Sequence, residues 1–160
     1  MNTQEDKTND IWEIIKSNKT AMLTTCTEEG LRGRPVHIVQ DTYEGTICFL
    51  APSNSDPVEE VAENSEVGIS FMNDVTGNYL FLTGRGQVSN DMRLKNELWS
   101  EDVAWLFPEG TTCDGVSVIE INIRKGESWR KKDGSTTIYE RFYAFVQSEK
   151  SASGSQADLF

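Results

Sequence analysis

Histidine occurs once in the 160 residues, at His37, and cysteine three times, at Cys26, Cys48 and Cys113. A hydrolytic triad has almost no material here: there is no Gly-x-Ser-x-Gly elbow, and no cysteine neighbours the histidine in sequence. Zinc centres need His and Cys clusters, which are missing. The cysteines are odd in number and form no close pair, so reduced, buried thiols are the expected state. No apolar run approaches the ~20 residues of a membrane span. The polar start Met1-Asn2-Thr3-Gln4-Glu5-Asp6 carries no signal-peptide hydrophobic region, and the expectation is a cytoplasmic protein. Basic residues are scarce: 15 Lys and Arg stand against 26 Asp and Glu, a formal net charge of −11. Such a field repels nucleic-acid backbones and anionic membranes, so neither is an expected partner. Any phosphate-bearing ligand then needs a locally basic pocket. Walker and Rossmann glycine motifs are absent, and Gly84-Arg85-Gly86 lacks the helix that would give it a phosphate role.

What is present reads as one domain with a real core. The expected organisation is a disordered segment over 1–9, a domain over 10–150 and a disordered tail over 151–160. Asp10 with Glu13 makes a capping pattern before Ile11, Ile14 and Ile15 at helical spacing, which predicts a helix over 10–19. The β-branched run 20–27, the turn Glu28-Glu29-Gly30 and the stretch 31–40 predict a hairpin, followed by a strand over 46–51. Asp56-Pro57-Val58-Glu59 predicts a helix start with Asp56 as N-cap, ending near Asn64 with Val58, Val61 and Ala62 inward. Residues 67–71 and 79–89 predict strands, with a bend or bulge at Gly84 and Gly86. Short helices follow around Met92, Leu94 and Leu98 and after the cap Ser100-Glu101-Asp102. Residues 116–123 predict a strand, 126–132 and 135–137 a hairpin turned by Asp133-Gly134, and 139–149 a closing helix with Phe142, Phe145 and Val146 on its core side. Tight turns between consecutive strands exclude a parallel sheet. The fold class is mainly β (α+β): a small antiparallel split β-barrel with flanking helices.

The chemistry concentrates between residues 31 and 57. Arg32 and Arg34, one residue apart on a strand, point to one face. The loop Pro52-Ser53-Asn54-Ser55-Asp56 follows the next strand and opens a helix, where free amides favour an anion. Two readings of the arginines stand: an anion site, or ordinary ion pairs with carboxylates of an acid-rich surface. His37 is expected as a half-buried strand residue, and Glu59, Glu60 and Glu63 as a solvated helix face.

Three stretches in order, Ala21-Met22-Leu23-Thr24-Thr25, Arg32-Gly33-Arg34-Pro35 and Phe49-Leu50-Ala51-Pro52-Ser53-Asn54-Ser55, resemble the general stress protein branch of the pyridoxamine 5′-phosphate oxidase-like flavoproteins. Leu98-Trp99 with Ala104 to Gly110, and Tyr139 to Phe145, resemble that branch's later signatures. The likeness spans roughly 11–147. It implies a split-barrel homodimer with an FMN site at the subunit interface. Carried over, Arg34, Pro35 and Val36 lie along the flavin, with Arg32 beside them, and Ser53 and Ser55 approach the phosphate. Trp105 matches an aromatic that closes over the flavin edge from the partner, with a core or interface tryptophan as the alternative. The catalytic residues and substrate are unknown.

This sequence departs from the pattern at the loop's usual Thr-Ser, which here is Ala51-Pro52, and, with more consequence, at a lysine. A lysine commonly stands two residues after the loop serine as a phosphate ligand; here that position is Pro57, between Asp56 and Glu59. Losing one charge-assisted hydrogen bond costs about 1.5–3 kcal/mol, on the order of tenfold to a hundredfold in affinity. The resemblance therefore implies an FMN-binding oxidoreductase-like protein, with FAD, a deazaflavin, haem or no cofactor as alternatives. The competing class is a non-catalytic dimeric barrel with a degenerate flavin site, acting as a binding or stress-response module. The four tryptophans (Trp12, Trp99, Trp105, Trp129) and seven phenylalanines support a dimer, being more large apolar surface than one small core needs.

Overall fold

The structure is a computed structural model and describes residues 4–143 and 152–156. Its frame is one eight-stranded antiparallel sheet: β1 (Thr20–Thr27), β2 (Gly30–His37), β3 (Thr46–Pro52), β4 (Glu66–Asn73), β5 (Asn78–Ser89), β6 (Val116–Lys132), β7 (Thr136–Tyr143) and β8 (Ala152–Gln156). The neighbours run β2-β1-β4-β5-β6, and there the sheet forks. The first half of β6 also carries β3, and its second half carries β7, on which β8 lies. A bridge between Ile38 and Phe49 joins the end of β2 to β3 and closes six strands into a barrel, with β7 and β8 outside it as a wing. This is the expected split barrel.

Alternation explains the two cores. On β3, Ile47, Phe49 and Ala51 point into the barrel with Leu23, Ile69, Leu82, Ile119 and Ile121. Cys48 and Leu50 point outward with Val116 and Val118, under Leu94, Leu98, Trp99, Val103 and Phe107. That second layer comes from α3 (Met92–Leu98) and α4 (Glu101–Ala104) with the loop after it. Asp91 and Ser100 cap these helices, accepting from the amides of Arg93 at 2.9 Å and Val103 at 3.2 Å. Burial, aided by the charge of Glu120, pushes the Cys48 thiol up to about 12. A longer helix, α1 (Gln4–Ser17), lays Ile11, Ile14 and Ile15 on the barrel, and α2 (Asp56–Glu63) buries Val61 against it. Among the described residues no helix is long and apolar enough to cross a membrane.

Some expectations are corrected. The segment 1–9, expected to be disordered, already holds part of α1, so Asp10 is no cap: it lies mid-helix and pairs with Arg130 at 3.5 Å. The N-cap of α2 is Ser55 rather than Asp56, and Ala62 is exposed. Strand β6 runs unbroken through Arg124-Lys125-Gly126, where the sequence suggested two strands. The helix expected over 139–149 is wrong for its first part, because Thr136–Tyr143 is a strand paired along β6; 144–149, with Phe145 and Val146, lie outside the described residues. The physical reason is that the second half of β6 needs a partner for its amides and carbonyls, and the Asp133-Gly134 turn, with φ of 59° and 79°, delivers one. Within the tail expected to be disordered, β8 pairs with β7.

Candidate functional site

Where β2 leaves the barrel wall beside β3, a cavity of about 250 Å³ opens. Its walls are Arg34, Pro35, Val36, His37 and Val39 on one side and Phe49, Leu50, Ala51 and Pro52 on the other. Ser55 and Pro57 stand at one end, and Leu106, Phe107 and Pro108 cover the other. The lining is mostly apolar because β3 is buried on both faces. Strand β2 has a ladder partner on one side only, so alternate backbone groups along it face away from β1 and are open to a ligand's polar edge.

The two arginines share a face, as the alternation requires, and both close on Glu60 of α2. Arg34 Nη2 binds Glu60 Oε1 and Arg32 Nη1 binds Glu60 Oε2. Arg34 Nη1 donates to Thr25 Oγ1 at 3.0 Å, and that hydroxyl donates to Glu60 Oε1 at 2.7 Å. Arg32 adds a contact to Asp56 at 3.4 Å. The Glu60 side chain is 11% exposed and that of Arg34 17%, so this is a partly buried clamp tying α2 to the β1–β2 hairpin. Burial works against ionising Glu60, but the hydrogen bonds from Thr25 and Arg34 and the charges of Arg34 and Arg32 outweigh it, holding the carboxyl below its usual range. The charge of Glu60 and the hydrogen bonds to Asp56 and Glu60 raise Arg32 further.

Of the residues the sequence pointed to, Arg34, Pro35, Val36 and Ser55 meet in the cavity. Arg32 lies outside it, along an open acidic cleft with Glu28, Glu29, Asp56, Glu59 and Glu63. Ser53 is also outside; its hydroxyl meets Ser117 Oγ at 2.9 Å. Trp105 is 86% exposed and leaves the cavity to its neighbours Leu106, Phe107 and Pro108. His37 lines the wall with Nδ1 3.2 Å from Thr20 Oγ1, and is exposed rather than half-buried. Glu60 is the residue that sequence reasoning missed, having been placed on a solvated face. Its signal was there: Asp56 and Glu60 are one helical turn apart on α2, the first helix after the arginine strand, with β3 between them. Among the described residues no group of three or more His, Cys, Asp or Glu is placed to hold a metal ion.

The depressed Glu60 carboxyl makes the clamp pH-dependent. Its contribution is full above the carboxyl's unfolded pKa and is lost as pH falls through the lower folded value. Glu60→Gln should lower the melting temperature at neutral pH by on the order of 3 °C. The gap to the wild type should close on acidification, as Glu60 itself becomes neutral. A gap that is constant from neutral to acidic pH in paired thermal melts would show that the charge contributes nothing.

A closed antiparallel barrel with an outlying wing and an apolar cavity at the β2–β3 seam defines a split-barrel protein. The family model described as pyridoxamine 5′-phosphate oxidase like matches residues 6–152, and the chain belongs to that family. Solved structures share the fold. A Clostridium acetobutylicum protein related to general stress protein 26 of Bacillus subtilis superposes with a TM-score of 0.71 at 18% identity, covering 87% of this chain and 95% of that one. A pyridoxamine 5′-phosphate oxidase-related, FMN binding protein from Nostoc punctiforme gives 0.70 at 9% identity, over 91% and 95%. General stress protein 26 of Bacillus anthracis gives 0.63 at 18% identity, over 76% and 92%. No curated protein matches the chain.

Proposed function

We propose that this protein binds a flavin ring in the β2–β3 cavity and works as an oxidoreductase-like split barrel, as a homodimer whose second subunit completes the site. The observation that carries the reading is the cavity itself. Pro35, Val36, Phe49 and Leu50 supply flat apolar walls, and the free edge of β2 supplies backbone groups for a heterocycle's polar rim. At about 250 Å³ it covers only part of a three-ring system, and exposed Trp105, beside the cover, with the exposed part of Leu106 in it, is surface for a partner subunit to bury. The FMN named for the Nostoc relative fits in part. The ring has its walls, but among the described residues its phosphate lacks a free cation: Arg34 is bound to Glu60, and no lysine lines the cavity. When bound, a flavin ring supplies the electron-transfer chemistry, and the chain supplies its walls and its edge contacts.

The second reading, a non-catalytic dimeric barrel with a degenerate flavin site, is favoured by one observation, the Glu60 clamp together with Pro57. Titrating riboflavin and FMN separately with the purified protein, and following flavin fluorescence, divides the two. Saturable quenching by at least one flavin, with a dimeric mass by sedimentation, is the expected result. No quenching by either at tens of micromolar flavin leaves the non-catalytic module standing.

A further inference from the structure

We propose that Glu60 serves as a built-in anion that fills the arginine pair, so that the cavity selects a flavin-type heterocycle with a neutral, hydroxylated tail over its phosphorylated form. The inference rests on the flavin-ring reading and concerns the tail end of the same site.

A terminal phosphate needs hydrogen-bond donors and positive charge, and at the Ser55 end of the cavity both guanidinium charges and the donors of Ser53 and Ser55 are engaged within the chain. Arg34 spends its guanidinium on Glu60 and Thr25, and Arg32 spends its own on Glu60 and Asp56. The Ser55 amide donates to the Pro52 carbonyl at 2.9 Å, and its hydroxyl donates to the same carbonyl at 2.6 Å. The Ser53 amide donates to the Gly115 carbonyl at 3.0 Å. Ser117 gives its one hydroxyl hydrogen to Asn90 Oδ1 at 2.8 Å, so in the Ser53–Ser117 pair Ser53 is the donor. Pro57, in the first turn of α2, has no amide hydrogen at all. An arriving phosphate would have to displace Glu60 from both arginines, leaving a mostly buried carboxylate with the Thr25 hydroxyl as its donor and with Asp56 and Glu59 on the same short helix.

What remains at this rim is acceptor capacity: the Ser55 hydroxyl oxygen in the cavity and the Asp56 carboxylate in the adjoining acidic cleft. Acceptors in a field of net negative charge suit hydroxyl groups, which donate without bringing charge. A heteroaromatic ring with a polyol tail meets both ends of the site. Riboflavin is such a molecule, and FMN is the same molecule with a phosphate added.

The test is parallel titration of the full chain with riboflavin and with FMN, read by fluorescence quenching in phosphate-free buffer at neutral pH. Riboflavin should bind at least about tenfold more tightly than FMN. In Glu60→Gln the arginines are released, and affinity for FMN should rise about tenfold while that for riboflavin changes little. FMN binding to the wild type as tightly as riboflavin overturns this inference and leaves the flavin-ring reading intact. Binding of neither overturns both. Preference for riboflavin with no gain of FMN affinity in the variant overturns the role of Glu60. The wild-type ratio needs no variant, so a folding defect in Glu60→Gln leaves the test standing.

Discussion

Truncating Phe49 to alanine should cost about 3–5 kcal/mol of stability, which for a chain of this size lowers the melting temperature by roughly 6–20 °C. Phe49 is 1% exposed and sits at the closure of the barrel, paired with Ile119 of β6 on one side and bridged to Ile38 on the other. Its ring fills the core between Leu23, Ile47 and Ile121 and also forms a wall of the β2–β3 cavity. Removing it leaves a void that the surrounding strands cannot readily collapse to fill, because β3 is held along its length by β6 and at this residue by the bridge to Ile38. Urea unfolding gives the number. A loss below about 1 kcal/mol would mean that the seam between β2 and β3 is not packed as described. The same variant enlarges the cavity, so a flavin that binds there should bind it more weakly.

Gly84→Ala should be nearly as damaging, at about 3 kcal/mol, for a different reason. The register of β5 against β6 shifts between Thr83 and Gly84, and at the shift the two backbones come so close that a Cβ on Gly84 would stand 2.1 Å from the carbonyl oxygen of Asn122. The obstacle is main chain, not a side chain that can turn away, so β6 has to move. That movement disturbs β3 as well, because β3 pairs with the same stretch of β6. Gly115→Ala is the control. A Cβ there meets nothing within 4 Å, and the change should stay within about 0.5 kcal/mol. Equal thermal shifts in the two variants would argue against the close approach.

The parts of this fold that were legible in the sequence are those fixed by near neighbours along the chain. The β1–β2 hairpin, the Asp133-Gly134 turn, the Ser100 cap and the irregularity at Gly84 each follow from a few adjacent residues, and each is present. The parts that were not legible depend on a distant partner. Strand β7 reads as helical because Phe142 falls in a helical pattern with Phe145 and Val146, while its true strand face, Glu140 and Phe142, is masked by a carboxylate. That carboxylate is buried, and Arg130 of β6 reaches it at 2.7 Å. Glu60 was misplaced for the same reason: an acidic residue on a short helix looks solvated until two arginines, 26 and 28 residues away in sequence, close over it. The arginines' common face needed only the two-residue period of a strand; what they face is a tertiary fact.

Cys48 shows what a double-sided strand does to chemistry. With burial pushing its pKa up to about 12, on the order of one molecule in a hundred thousand carries the thiolate at neutral pH. Peroxides and disulfides react through that form, so burial of Cys48 makes it a poor target for oxidants. On the strand that walls the cavity, this thiol has the role of a small space-filler in the outer core.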